Sequence, residues 1–206
     1  LHEMCYDSTR QRVVLYGGMG AGGLVYGDTW EWDGTNWTQA TPLAIPPVRA
    51  SGALAYSGTR TFLFGGGNSA APRNDTWLYN GVSWSQVPTA NAPSPRYYHS
   101  MASNGAGELL VFGGFDPTGA GYSNETWRFT GSNWTQVMSP NSPLARGSAN
   151  LVWDGTRYLL WGGSDSFFQA LEDTWAFSGG QWTQLSTVRS PSSRARAAGA
   201  WFAPNN

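Results

Sequence analysis

Four glycine pairs constrain this chain more than any other feature. They stand at Gly17-Gly18, Gly65-Gly66, Gly113-Gly114 and Gly162-Gly163, a spacing of 48, 48 and 49 in a chain of 206 residues. Each pair ends a short apolar run and precedes an acidic-Thr-Trp triplet: Asp28-Thr29-Trp30, Asp75-Thr76-Trp77, Glu125-Thr126-Trp127 and Asp173-Thr174-Trp175. A second tryptophan follows the first by 7 residues each time, at Trp37, Trp84, Trp134 and Trp182. Self-similarity at a fixed period marks one supersecondary unit repeated. Such a unit cannot bury its apolar surface alone, so its neighbours must stack on it.

Within a unit, short apolar and aromatic runs are separated by Gly, Asn, Asp and Ser, which reads as four strands joined by tight turns. The second unit gives strands at 49–57, 61–64, 75–79 and 84–87; the third at 96–103, 108–112, 125–129 and 134–137; the fourth at 146–153, 158–161, 173–177 and 182–185. The first unit has a shortened opening strand at 1–6, then 12–16, 28–32 and 37–40, and one more opening strand follows the fourth unit at 196–203. Helical periodicity is absent. The expected fold is all-β: four four-stranded antiparallel blades of a propeller in a single domain over 1–206, with blades at about 1–40, 49–87, 96–137 and 146–185. Three arrangements stay open at this level: a piece of a larger ring, a ring closed by four blades, or two copies that complete one assembly. An unpaired edge strand calls for a partner, so self-association through edge strands is one expectation.

The glycine pairs, the acidic-Thr-Trp triplets and the trailing Trp-Thr-Gln or related sets together resemble the kelch repeat over nearly the whole chain. The resemblance implies a kelch-type propeller whose first strands line a central channel. It also implies a ring of arginines near the channel mouth, at Arg49, Arg96, Arg146 and Arg196, placed to hold an acidic partner; a forked guanidinium matches a carboxylate. The opposing expectation is that each arginine pairs with an acid such as Asp28, Asp75, Glu125 or Asp173, since regular repetition favours a structural duty.

Specificity is expected in the parts that do not repeat, the loops at 19–27, 67–74, 115–124 and 164–172. They carry Tyr26, Phe115, Tyr122, Phe167 and Phe168, and aromatic side chains on loops over a rigid frame are common binding anchors. A protein or a carbohydrate polymer at this loop face is the expected partner. A net charge of −1 with 12% charged residues gives no case for nucleic acid, and no apolar stretch reaches membrane-spanning length.

Catalysis finds little support, and no cofactor or metal set is expected. His2 and His99 fall at equivalent or nearly equivalent places on first strands, where a satisfied structural histidine is expected in place of one with the acid and nucleophile partners that catalysis needs. Copper enzymes of the galactose-oxidase kind also use a kelch propeller, but need two histidines, two tyrosines and a cysteine linked to one tyrosine; here the single Cys5 sits next to Tyr6. The leading expectation is a non-enzymatic binding or assembly scaffold. Two alternatives stand beside it: a carbohydrate-active oxidase- or epimerase-like enzyme using Arg96, His99, Glu3 and Asn150 around the channel, and a structural repeat of an extracellular assembly. All 12 basic residues are arginine, a bias that fits a bacterial or secreted origin without fixing a compartment.

Overall fold

Each repeat folds into one up-and-down antiparallel sheet, in a computed structural model that describes residues 2–68, 71–119, 121–197 and 199. The first blade comprises β1 (Glu3–Asp7), β2 (Arg12–Met19), β3 (Val25–Trp32) and β4 (Trp37–Ala40). The second comprises β5 (Ala53–Ser57), β6 (Arg60–Phe64), β7 (Thr76–Tyr79) and β8 (Trp84–Val87). The third comprises β9 (Ser100–Ser103), β10 (Leu109–Phe112), β13 (Thr126–Phe129) and β14 (Trp134–Val137), with a minor hairpin of β11 (Phe115–Asp116) and β12 (Gly121–Tyr122) inserted in its middle connection. The fourth comprises β15 (Asn150–Trp153), β16 (Tyr158–Trp161), β17 (Thr174–Ser178) and β18 (Gln181–Leu185). The first strands β1, β5, β9 and β15 lie side by side, so the blades fan out from an axis.

The second strand of a blade is apolar on both faces because it serves two interfaces. In β6, Leu63 packs with Val14, Tyr16 and Leu54 towards the first blade, while Phe62 and Phe64 pack with Leu109, Val111 and Phe129 towards the third. Alternate side chains of a strand point to opposite faces, so the continuous run Thr-Phe-Leu-Phe is what a strand between two neighbours requires. The same logic gives a third cluster of Leu110, Phe112, Leu151, Tyr158, Leu160 and Phe177 between the third and fourth blades. A tryptophan at the start of the fourth strand in the second, third and fourth blades fills the centre of these clusters: Trp84, Trp134 and Trp182 are 1%, 0% and 1% exposed.

The glycine pairs join blade to blade. The second glycine of each pair donates its N–H to a carbonyl of the next unit: Gly18 to Arg49, Gly66 to Arg96 and Gly114 to Arg146 at 2.9 Å, and Gly163 to Arg194 at 3.0 Å. At Gly17 the backbone has φ +60°, and a Cβ there would lie 2.5 Å from the Arg49 carbonyl oxygen. No side chain fits between these backbones.

Two expectations about strands are corrected. The first strands are shorter than the apolar runs, because the chain leaves the ladder at a left-handed residue: Ser51 (φ 59°), Tyr98 (φ 58°) and Ser148 (φ 55°). The β2–β3 hairpin is longer than expected, since Met19 pairs with Val25 beyond a bulge at Gly17. Of the opening strand expected at 196–203, residues 198 and 200–203 lie outside the described residues.

Candidate functional site

The arginines expected at the channel mouth are buried inside the blades. Arg49, Arg96 and Arg146 are 1%, 1% and 0% exposed. Arg49 grips Asp75 with both guanidinium nitrogens at 2.6 and 2.8 Å, and donates to the carbonyls of Gly65 and Pro47. Arg146 repeats the arrangement on Asp173, Gly162 and Leu144. Arg96 reaches Glu125 through Nη2 alone, at 2.5 Å, with Gly113 O and Ser94 as its other acceptors. Each acid also accepts a hydrogen bond from the indole N–H of its own triplet, Trp77, Trp127 or Trp175. Burial acts to raise the carboxyls of Asp75, Glu125 and Asp173, but the arginine and the indole outweigh it and hold them below the usual carboxylate range.

Arg196 is not the fourth member of this set. The residue bonded to the glycine pair of the fourth blade is Arg194, two positions earlier. Arg194 donates Nε–H to Ser192 O and Nη2–H to Ser192 Oγ, as Arg96 does to Ser94. The motif Ser-x-Arg, shared by residues 94–96 and 192–194, carried that register in the sequence. Arg196 instead occupies the left-handed position (φ 58°) of Ser51, Tyr98 and Ser148.

These four left-handed residues form a rim. Tyr98 donates its backbone N–H to Ser51 O at 2.9 Å, Ser148 to Tyr98 O at 2.7 Å, and Arg196 to Ser148 O at 3.0 Å. The backbone therefore runs from blade to blade around the loop face, independent of side-chain type. Tyr97 and Tyr98 stand where the other units have Ala50-Ser51 and Gly147-Ser148. That substitution of rings for small residues is the signal that could have marked them. Tyr97 Oη donates to Asn68 O at 2.8 Å, and the Arg196 guanidinium lies 5.8 Å above the Tyr98 ring. A cleft of about 430 Å³ opens here, walled by Met19, Val25, Ser51, Pro72, Tyr97 and Tyr98.

The loop aromatics divide into two kinds. Phe115 and Tyr122 face each other across the minor hairpin at 5.2 Å and are half-buried, and Tyr122 covers Gly147. Tyr26, 42% exposed, folds over Gly20. Phe167 and Phe168 project instead, at 78% and 80% exposed. Their turn is fixed from within: Asp165 Oδ1 accepts the N–H groups of Phe167 and Gln169 at 2.9 Å, and Asp165 O accepts that of Phe168 at 3.1 Å. Phe168 is held at φ 59°, a conformation that costs a bulky residue roughly 1–2 kcal/mol.

The channel groups of the enzyme alternative are only partly assembled. Glu3, His99, Ser100 and Asn150 line one cavity of about 370 Å³, whereas the Arg96 guanidinium lies inside its blade. Ser100 Oγ donates to Ala149 O and Asn150 Nδ2 to Ala197 O, both at 2.7 Å, so each ties a first strand to the segment beside it. Burial, with Arg96 nearby, pulls the His99 pKa down to about 3, and burial raises the Glu3 carboxyl well above its usual range. Burial also pushes the Cys5 thiol up to about 12, despite its contact with Thr61 Oγ1 at 3.6 Å. Among the described residues, no three His, Cys, Asp or Glu side chains converge as a metal site. A wider groove, about 800 Å³, separates the outer strands of the second and third blades and is bounded by the repeated groups Asp75, Thr76, Trp127 and Trp134. It is a gap in the frame and carries none of the loop-face aromatics.

The family model described as the KLHDC2/KLHL20/DRC7 Kelch-repeats domain matches residues 44–205. No curated protein matches the chain. Domains of this kind mediate protein binding or scaffolding. Glycine pairs that weld blade to blade, and arginines buried against the acid of each triplet, are thus the working parts of a shared frame: the chain belongs to the kelch-repeat family.

Proposed function

We propose that this chain is a non-enzymatic scaffold that takes hold of a protein partner through its loop face. The observation that carries the reading is the Phe167-Phe168 turn. Two adjacent phenyl rings are left 78% and 80% exposed, one of them in a left-handed conformation. Burying a phenyl ring is worth about 1.5–3 kcal/mol, and folding of the chain alone gains neither of these. Their benefit therefore lies in a complex, as a rigid pair of anchors for an apolar recess in the partner. The Tyr97–Tyr98 cleft, with Arg196 above it and the Phe115–Tyr122 pair beyond, supplies amphipathic walls for a polypeptide next to that recess. Arg49, Arg96 and Arg146 support this face from beneath by holding the glycine-pair carbonyls.

The test is selection of binders from a displayed random-peptide library on the immobilised chain, run in parallel with a panel of polysaccharides. The expected result is a set of aromatic- or leucine-bearing peptides that F167S/F168S no longer captures, although its melting temperature matches the parent. Capture unchanged in that variant, or binding to polysaccharides only, overturns the reading.

A further inference from the structure

Tyr97 and Tyr98 stand where the frame itself asks only for small residues. The same two positions hold Ala50-Ser51 in the second unit and Gly147-Ser148 in the fourth, and the rim hydrogen bonds at these positions are made by backbone alone. The two rings are therefore surplus to the frame. They wall the cleft of about 430 Å³ that the loops of the first three blades enclose. Their centroids lie 6.0 Å apart with the planes tilted by 43°, so the pair presents an angled aromatic surface. Met19, Val25, Pro72 and Pro117 extend the apolar wall, and none of the described residues that line the cleft carries a charge.

The main chain around the cleft is already paired. Ala50 and Gly67 exchange both N–H···O bonds, at 2.7 and 3.0 Å, and Tyr97 and Phe115 do the same, at 2.9 and 2.7 Å. The Tyr98 N–H goes to Ser51 O, and Tyr98 O accepts the Ser148 N–H. Pro72 and Pro117 have no N–H to give. A peptide entering as a β-strand needs an open edge to pair with, and these segments leave it none. The polar groups at hand are hydroxyls. Tyr97 Oη donates to Asn68 O at 2.8 Å, and Tyr98 Oη has no partner among the described residues.

An occupant must then bring a backbone that needs no ladder, apolar rings to lie on the tyrosines, and a carbonyl for a hydroxyl donor. A proline-containing segment in the polyproline II conformation meets all three demands. It has no internal hydrogen bonds, and proline carries no N–H that burial would leave orphaned. It advances about 3.1 Å per residue, so two residues cover the distance between the rings. It is extended before it binds, so little ordering is required on docking.

We infer that the Tyr97–Tyr98 cleft binds a proline-containing segment of the partner in the polyproline II conformation, with pyrrolidine rings on the two tyrosines and a peptide carbonyl on the Tyr98 hydroxyl. The inference rests on the reading of the loop face as a protein-binding surface. It adds the chemistry which that surface selects beside the Phe167-Phe168 anchors.

The experiment is fluorescence anisotropy with labelled decaproline, and with a glycine–serine peptide of equal length, titrated with the full chain and its variants. Y97A/Y98S installs the Ala-Ser pair that the second unit carries at these positions, so its melting temperature should match the parent. Y98S alone, with the residue of Ser51 and Ser148, repeats the test if the double variant melts lower. The parent should bind decaproline saturably, and the glycine–serine peptide roughly tenfold more weakly or less. Y97A/Y98S should lose roughly tenfold or more of the decaproline affinity, and F167S/F168S should keep it. A parent that does not bind decaproline, a parent that binds both peptides alike, or tyrosine variants that bind like the parent, each overturns the inference. If decaproline fails while library peptides are still captured through Phe167 and Phe168, this inference alone falls; if both fail, the reading of the loop face falls with it.

Discussion

Asp75→Ala against Asp28→Ala isolates the value of the buried arginine pair. Both acids open the same Asp-Thr-Trp triplet and both accept the indole N–H of their tryptophan, at 2.6 Å for Asp75 and 2.7 Å for Asp28. Only Asp75 faces a guanidinium, and that guanidinium is 1% exposed. Removing Asp28 should cost about 0.5–1.5 kcal/mol, the worth of one hydrogen bond. Removing Asp75 forfeits the same bond and also strands a buried cation, which costs about 3–5 kcal/mol. The doubly substituted Arg49→Met, Asp75→Leu chain should recover part of that loss, because no charge is left buried. The recovery is incomplete because the Gly65 and Pro47 carbonyls lose their donor, at about 1–3 kcal/mol for each that stays buried and dry. Urea denaturation followed by tryptophan fluorescence, at a protein concentration low enough to exclude association, reads all three against the parent, with m-values checked for constancy. If Asp75→Ala and Asp28→Ala differ by less than about 1 kcal/mol, the pair does not hold the blade and the argument fails. Glu125→Ala should fall between them, since its carboxylate is 35% exposed and meets Arg96 through one nitrogen.

Two further outcomes follow from the frame. Thr76→Val keeps the shape of the second-to-third junction but leaves the Trp134 indole N–H without its acceptor, so stability should fall by about 1–3 kcal/mol with no change in binding at the loop face. Acid should act in two stages. His99 is 5% exposed with its pKa drawn down to about 3, so the folded chain keeps it neutral while the unfolded chain takes up a proton near the ordinary value of about 6.5. Its contribution is full above that value and declines by up to about 1.4 kcal/mol per pH unit towards pH 3. Asp75, Glu125 and Asp173, held below the ordinary carboxylate range, contribute fully above about pH 4 and fail only as pH falls further. Glu3, whose carboxyl is raised by burial, acts in the opposite sense above about pH 4, so the test is the difference between chains: below about pH 6 the parent should lose stability that His99→Phe keeps, and equal losses in the two refute the assignment.

The repeat made the frame readable, because each blade states the same residues and an error in one is corrected by the other three. Glycine pairs, triplets and paired tryptophans located four sheets from spacing alone, but the tryptophan expected between blades was the triplet one, and the structure gives that place to Trp84, Trp134 and Trp182. The roles inside the frame were less readable. Sequence order places Arg49 26 residues before Asp75, and only the folded blade turns the guanidinium inward onto it. The misplacement of the fourth arginine has a simple cause: the segment 194–196 offers arginine at both of two eligible positions, and alignment on the apolar run alone favours the second. The hydrogen bond from Gly163 chooses the first. Tyr97 and Tyr98 were hidden because they sit inside a repeated strand start, where the unrepeated loops drew the eye away.

The first and fourth blades show what the arginine–acid pair is for. A blade in mid-array receives an arginine from the segment that leads into its first strand, and that same residue's carbonyl accepts the glycine-pair N–H of the blade before it. One residue thus fixes the inside of its own blade and the seam to the previous one. Losing it should loosen two units at once, as expected of an array in which stability is a sum of units and their junctions. Among the described residues Asp28 holds its Trp30 indole without an arginine, and Arg194 holds Ser192 without an acid, so neither carries the double duty of Arg49 and Arg146. The loop face faces no such demand. Its rim is closed by backbone hydrogen bonds through Ser51, Tyr98, Ser148 and Arg196 whatever their side chains, which leaves those positions and the Phe167-Phe168 turn free to vary with the partner while the frame beneath stays fixed.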